Sequence, residues 1–262
     1  GFDGTLKVFF QPGEEISGGG KSMAKSGHLD DVEYLLAVHV GLGHPTGTVV
    51  AGMEKPLAMA HFDVTFKGES AHAGESPNEG SNALLAAATA VQNAYAIARH
   101  KDGMTRVNFG EIAGGTASNI VAEEVTLKGE VRGETNELME YMKSEVMRIL
   151  ESAAEMHGCD VEPEIVSESP RADSDEGLWS VVADVAEDME SVDTVVPTVD
   201  FGASEDATFL MEHVQKQGGL AAYSIVGTDH PTGHHTGTFD VDEETIDIGI
   251  ELLSQSIESL DD

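Results

Sequence analysis

The stretch VFFQPGEEISGGG, residues 8–20, delivers two adjacent carboxylates, Glu14 and Glu15, at a Pro-Gly break after an apolar run. Neighbouring residues in an extended segment point in opposite directions, so the two acids cannot both address one spot in the same way. Ligands in open α/β sheets sit at the carboxyl ends of strands, which is where such a break would place them. Two further groups stand out among eleven histidines. His39 lies inside the apolar run LLAVHVGLGH, where a buried imidazole needs a partner, either a metal ion or a backbone carbonyl. His234 and His235 sit side by side in GTDHPTGHHTGTFDVDEE, a Gly- and Thr-rich loop ahead of the final helix. Carboxylates with imidazoles suit zinc or manganese. Taken singly, each has a plain alternative: surface acids in an acid-rich chain, or histidines on a loop.

These residues need a scaffold. Residues 4–10 read as a buried strand, 19–27 as a short helix, and 34–40 and 47–52 as strands of a mostly parallel sheet. The pattern then changes. Alternating segments at 58–68, 105–115, 123–133 and 160–167 flank two long amphipathic helices, 82–100 and 136–158. The order βαββαβ predicts a ferredoxin-like α+β domain over 55–168. Helices at 176–189, 204–216 and 243–260 and a strand at 221–227 return to the first sheet. The fold class expected is α/β: a doubly wound catalytic domain of 1–54 and 169–262, interrupted by the ferredoxin-like domain.

The 262 residues carry 48 acids against 14 bases, a net charge of −34. Nucleic acid as a partner is excluded, because phosphate binding needs a basic face. No apolar stretch approaches the roughly 18 residues that span a bilayer. The acids are spread along the whole chain, which is the composition of a cytoplasmic protein from a salt-accumulating halophile. At molar salt the Debye length falls to about 3 Å and self-repulsion is relieved. The thermal midpoint is therefore expected to rise as KCl goes from millimolar to molar; a midpoint that falls contradicts the halophile reading. The sole cysteine, Cys159, has no partner for an internal disulfide, in keeping with a reducing compartment.

Five blocks occur in a telling order: FFQPGEE with GGGKSMAKSG and DDVEYLLAVHVG, then GESAHAGESPNEGSNALLAAA, ARHKDGMTRVNFGEIAGGTASNIVAEEVTLKGEVRG, GASEDATFLMEHVQKQGG and GHHTGTFDVDEE. Together they resemble the aminoacylase/carboxypeptidase superfamily of dinuclear metal hydrolases. The likeness is greatest to its amidohydrolase branch, which holds the aminobenzoyl-glutamate, indole-acetyl-amino acid and hippurate hydrolases. The resemblance implies a metal-dependent amidohydrolase with two divalent ions per site, zinc or manganese, acting on an N-acyl or N-aroyl amino acid. It implies that Glu14 is the general base toward water and that Glu15, His39 and His235 are metal ligands, with His234 the rival of His235. It implies that the 55–168 domain is a lid and dimerisation domain. His72 there would reach a partner subunit's site to support the oxyanion, and Asn119 and Arg132 would bind the substrate carboxylate. The partner would be a second copy or a related subunit. Glu205 and Asp206 match a motif near the site without an assigned role, helix capping being the rival reading.

The resemblance also implies further ligands upstream of the paired acids, a Cys and a His in a CGHD-like segment. Nothing in residues 1–13 matches it, and Cys159 lies in the other domain. The chain is therefore expected to be N-terminally truncated relative to that family. Alternatives to the amidohydrolase are a catalytically incomplete binding or dimerisation module and a dipeptidase or aminoacylase of the same superfamily.

Overall fold

The computed structural model describes residues 4–14, 18–41, 43–229 and 236–261. The chain divides into two compact units, Gly1–Pro56 with Arg171–Asp262, and Leu57–Pro170.

The first unit contains α1 (Gly19–Ala24), β1 (Tyr34–Val40) and β2 (Thr48–Glu54) from its first segment. From its second come α4 (Glu176–Asp188), β7 (Thr194–Asp200), α5 (Thr208–Lys216), β8 (Leu220–Val226) and α6 (Glu244–Ser259). The strands form one sheet in the order β1-β8-β2-β7. β1 runs parallel to β8 and β2 parallel to β7, while the β2–β8 contact is antiparallel. β2 is buried from Thr48 through Met53, as expected of a strand covered on both faces. Val50, Ala221, Tyr223 and Ile225 pack with Leu210, Met211 and Val214 of α5 and Ala24 of α1. Val49, Ala51 and Val226 pack with Val182, Ala183 and Ala186 of α4 and Ile248 and Leu252 of α6. Two apolar layers thus close on one sheet.

Two details depart from the sequence-based expectation. Residues 4–10 form no strand: they pair with none of the four, and Leu6, Val8 and Phe10 are 57%, 67% and 88% exposed. An apolar run becomes a strand only where a neighbouring backbone satisfies its polar groups, and none of the described strands pairs with this segment. Conversely, β7 went unpredicted because TVVPTVD contains Pro197, which removes a ladder donor. The sheet accommodates it because β7 is an edge strand.

The second unit contains β3 (Ala58–Lys67), α2 (Ala83–Tyr95), β4 (Thr105–Gly114), β5 (Glu124–Gly133), α3 (Asn136–His157) and β6 (Asp160–Ser169). Its sheet is antiparallel in the order β4-β5-β3-β6, the ferredoxin-like arrangement. Ala58, Ala60, Phe62, Val64 and Phe66 alternate onto the face that meets the helices, together with Val125, Leu127 and Val131. α2 meets them with Ala83, Ala86, Ala87, Ala90 and Ala94, small residues that let the helix lie close. Asn82 caps α2 by accepting from the Leu84 and Leu85 amides at 3.0 and 3.4 Å. α3 is capped by Thr135 and ends at Gly158, whose φ of 63° suits a residue without a Cβ. No described helix is long and apolar enough to cross a membrane.

Candidate metal centre

Glu14 follows Gly13, which adopts a φ of 68° and whose carbonyl accepts from the Gly18 amide at 3.2 Å. Then α1 begins with two buried glycines. A Cβ on Gly19 would lie 1.6 Å from the Pro12 carbonyl oxygen, and one on Gly20 would lie 2.2 Å from the Asp206 carbonyl oxygen. The glycine run therefore permits a close approach: it lets α1 sit against both the Gln11–Glu14 turn and the start of α5.

That approach assembles three acids. Ligand oxygens of Glu14, Glu205 and Asp206 lie within 4.8 Å of one another. Glu205 is 6% exposed and Asp206 fully buried. Each has neutral donors: Tyr223 gives its hydroxyl to Glu205 Oε2 at 2.8 Å, and the Ala207 amide reaches Glu205 Oε1 at 3.3 Å. The Gly20 amide donates to Asp206 Oδ2 at 2.9 Å, and the Gln11 side-chain amide donates to Asp206 Oδ1. Neither buried acid makes an ion pair with a base among the described residues. Buried carboxylates without a cation are costly, so the cluster calls for positive charge. Burial, then Glu205, and at longer range Glu14 and Asp206, push the Tyr223 phenol far above its ordinary value, so it stays a donor.

His39 stands at the carboxyl end of β1, its ring centroid 6.2 Å from that of Tyr223. Its Nδ1 is 2.8 Å from the Val40 carbonyl oxygen. A carbonyl only accepts, so Nδ1 carries the proton and Nε2 the lone pair. This is the tautomer and orientation that a backbone carbonyl imposes on metal-ligating histidines. The three acids offer a set of carboxylate oxygens that fits a divalent cation, while the ring nitrogens of His39 lie outside that 4.8 Å group.

Glu15 and His235, expected as ligands, and His234 lie outside the described residues. Glu205 and Asp206 are the functional candidates to which sequence reasoning gave no role. Helix capping describes them only in part, since α5 has Ala207 as its N-cap with no side-chain cap bond. The available signal was two adjacent acids, as with Glu14 and Glu15, here just ahead of a helix rather than after a Pro-Gly break.

In the second unit, His72 and Asn119 are brought together by a short paired segment. His72 bridges to Ile120, and the Ala73 amide donates to the Asn119 carbonyl at 2.9 Å. His72 Nδ1 accepts from the amides of Gly74 and Glu75 at 3.2 and 3.0 Å. Its proton is therefore on Nε2, which makes the exposed ring a donor at its outer edge. Arg132 does not stand alone on β5: its Nε and Nη2 donate to Glu130 at 3.2 and 3.0 Å. Burial acts to raise the Glu130 carboxyl, but bonds from Arg132 and His61 outweigh it and hold it below its ordinary value.

The family model described as peptidase family M20/M25/M40 matches residues 1–259. The chain is 39% identical over 252 residues to the indole-3-acetyl-aspartic acid hydrolase of Enterobacter agglomerans, covering 96% of this chain and 58% of that protein. It is 38% identical over 260 residues to one subunit of the p-aminobenzoyl-glutamate hydrolase of Escherichia coli (strain K12), covering 98% and 59%. The crystal structure of an aminobenzoyl-glutamate utilization protein from Klebsiella pneumoniae superposes with a TM-score of 0.86 at 35% identity, covering 95% of this chain and 60% of that one. The chain thus spans about three fifths of the length of these relatives. With a family match across nearly all of its residues, the chain belongs to peptidase family M20/M25/M40.

Proposed function

We propose that the protein is a metal-dependent amidohydrolase, cleaving the amide that joins an acyl or aroyl group to an amino acid of the glutamate kind. The observation that carries this is the cluster of two buried acids, Glu205 and Asp206, with the half-buried Glu14, and His39 held in one tautomer at the end of β1. Glu205, Asp206 and His39, with Glu15 and His235 as further candidates, would hold the divalent ions, zinc or manganese. When bound, such an ion supplies Lewis acidity, lowering the pKa of water and polarising a carbonyl.

The chain's own groups do the rest. Glu14 accepts a proton from water as its oxygen attacks the amide carbon. The C–N bond breaks, Glu14 returns the proton to the departing nitrogen, and a carboxylic acid and an amine leave. The His72 Nε2–H would reach the site of a partner subunit as a donor for the developing oxyanion. Asn119 and Arg132 take the substrate carboxylate, for which a guanidinium is suited by its paired donors. The ferredoxin-like unit is read as the lid and dimerisation domain, pairing with a second copy or a related chain. Support for a partner comes from the Escherichia coli relative, which is named as one subunit of its hydrolase. The acidic surface supports a cytoplasmic, halophilic setting.

The test is hydrolysis by the full-length protein of p-aminobenzoyl-glutamate, hippurate and a panel of dipeptides, before and after chelation. Cleavage of the aroyl conjugates, lost on chelation and restored by zinc or manganese, is the expected result. Preference for dipeptides moves the assignment to the dipeptidase class, and turnover indifferent to chelation overturns it.

A further inference from the structure

β5 lays Glu124, Thr126, Lys128, Glu130 and Arg132 on the face of the ferredoxin-like sheet turned away from α2 and α3. On this face bases stand opposite acids. Lys128 pairs in register with Asp63 on β3 and Glu111 on β4, and Lys67 with Glu124. Such opposite-charge cross-strand pairs stabilise, and like charges directly opposite destabilise. Arg132 breaks the rule: its register partner on β4 is Arg106. A chain with only 14 bases places two of them face to face.

The two guanidiniums are differently held. Arg132 is fixed on one edge by Glu130, and Glu130 is fixed by His61 Nε2 at 3.0 Å. His61 Nδ1 in turn takes the Ser167 hydroxyl at 3.1 Å, so a line of bonds across three strands sets the Arg132 fork. Arg132 Nη1 makes no hydrogen bond among the described residues. Arg106 is exposed, gives one bond from Nη1 to the Thr105 carbonyl at 2.9 Å, and has no carboxylate within 4.0 Å among the described residues. Glu130 offsets one of the two positive charges. The other is left for an anion.

We propose that Arg106 and Arg132 form a two-guanidinium clamp that reads the amine half of the substrate as a dicarboxylic amino acid, Arg106 taking its side-chain carboxylate. The two carboxylates of an aspartyl or glutamyl group are separated by two or three carbons. That span matches side chains directly opposite on antiparallel strands, whose Cβ atoms are about 4.5–5.5 Å apart. A guanidinium binds each carboxylate with paired donors. Arg106 is thus the specificity residue. The inference rests on the amidohydrolase reading, in which Arg132 faces the substrate carboxylate, and it deepens that reading to conjugates of acidic amino acids.

The experiment compares benzoyl-glutamate with benzoyl-alanine on the full-length protein, for wild type, Arg106→Gln and Arg106→Lys. The ratio of kcat/KM for the glutamyl over the alanyl conjugate is expected to fall by about 10–100-fold in R106Q, the range for a hydrogen bond to a charged group. R106K is expected to restore part of it. Equal losses on both conjugates point to a merely structural role and overturn the clamp, as does an unchanged ratio. Calorimetric binding of the two conjugates to the chelated proteins gives a readout without turnover. If wild type hydrolyses neither conjugate, the amidohydrolase reading fails. The clamp still stands if the glutamyl ligand binds more tightly than the alanyl one and R106Q abolishes the difference, and falls if it does not.

Discussion

Glu14→Gln in the full-length enzyme is expected to lower kcat by about 10²–10⁴-fold, the worth of a positioned general base, while the metal content per site stays unchanged. Gln keeps the size and the hydrogen-bonding oxygen of the side chain but cannot accept the proton of water at neutral pH. The discriminating power lies in the second readout. Glu14 stands within 4.8 Å of Glu205 and Asp206 and could serve as a ligand oxygen as readily as a base. A variant that loses turnover and metal together marks Glu14 as a ligand. A variant that keeps both removes it from the chemistry.

Gly20→Ala is expected to destabilise the first unit by about 1–3 kcal/mol, the range for overpacking a filled site, measured as a lowered denaturant midpoint. The added methyl would meet the Asp206 carbonyl oxygen at 2.2 Å and the Asp206 Cγ at 3.1 Å. The first of these is backbone, which cannot swing away as a side-chain tip does. Relief requires α1 and the start of α5 to part, which stretches the 2.9 Å bond from the Gly20 amide to Asp206. Turnover should fall as well, because a displacement near 1 Å in a catalytic constellation costs on the order of 10²-fold. Gly249→Ala in α6 is the control: its Cβ meets only the far end of Val226 at 3.9 Å, so it should be neutral or mildly stabilising. Equal stability of G20A and wild type would show that α1 does not approach Asp206 this closely.

Legibility differed between the two units for a physical reason. In residues 57–170 the central strands β3 and β5 each have one buried face, so Ala58, Ala60, Phe62, Val64 and Phe66 write their alternation directly into the sequence. The caps Asn82, Thr135 and Gly158 are likewise local signals. In the first unit local pattern misleads at two places. VFF reads as a strand, yet no ladder receives it, and TVVPTVD reads as a poor one, yet an edge position tolerates Pro197. The site shows the same divide. His39 is legible because an imidazole in an apolar strand demands a partner. Glu205 and Asp206 look like any of 48 acids until the fold buries them against Gly20 and Tyr223. The meeting of Arg106 with Arg132 depends on strand register, including the irregularity between Phe109 and Glu111, which no local pattern reports.

The most direct measurement is anomalous X-ray scattering at the zinc or manganese edge from crystals of full-length Glu14→Gln. It locates the ion and shows whether the metal survives when turnover is lost. The expected result is a peak beside the carboxylates of Glu205 and Asp206. A map with no peak there, or with its ion held away from these two residues, contradicts the metal centre and the chemistry built on it.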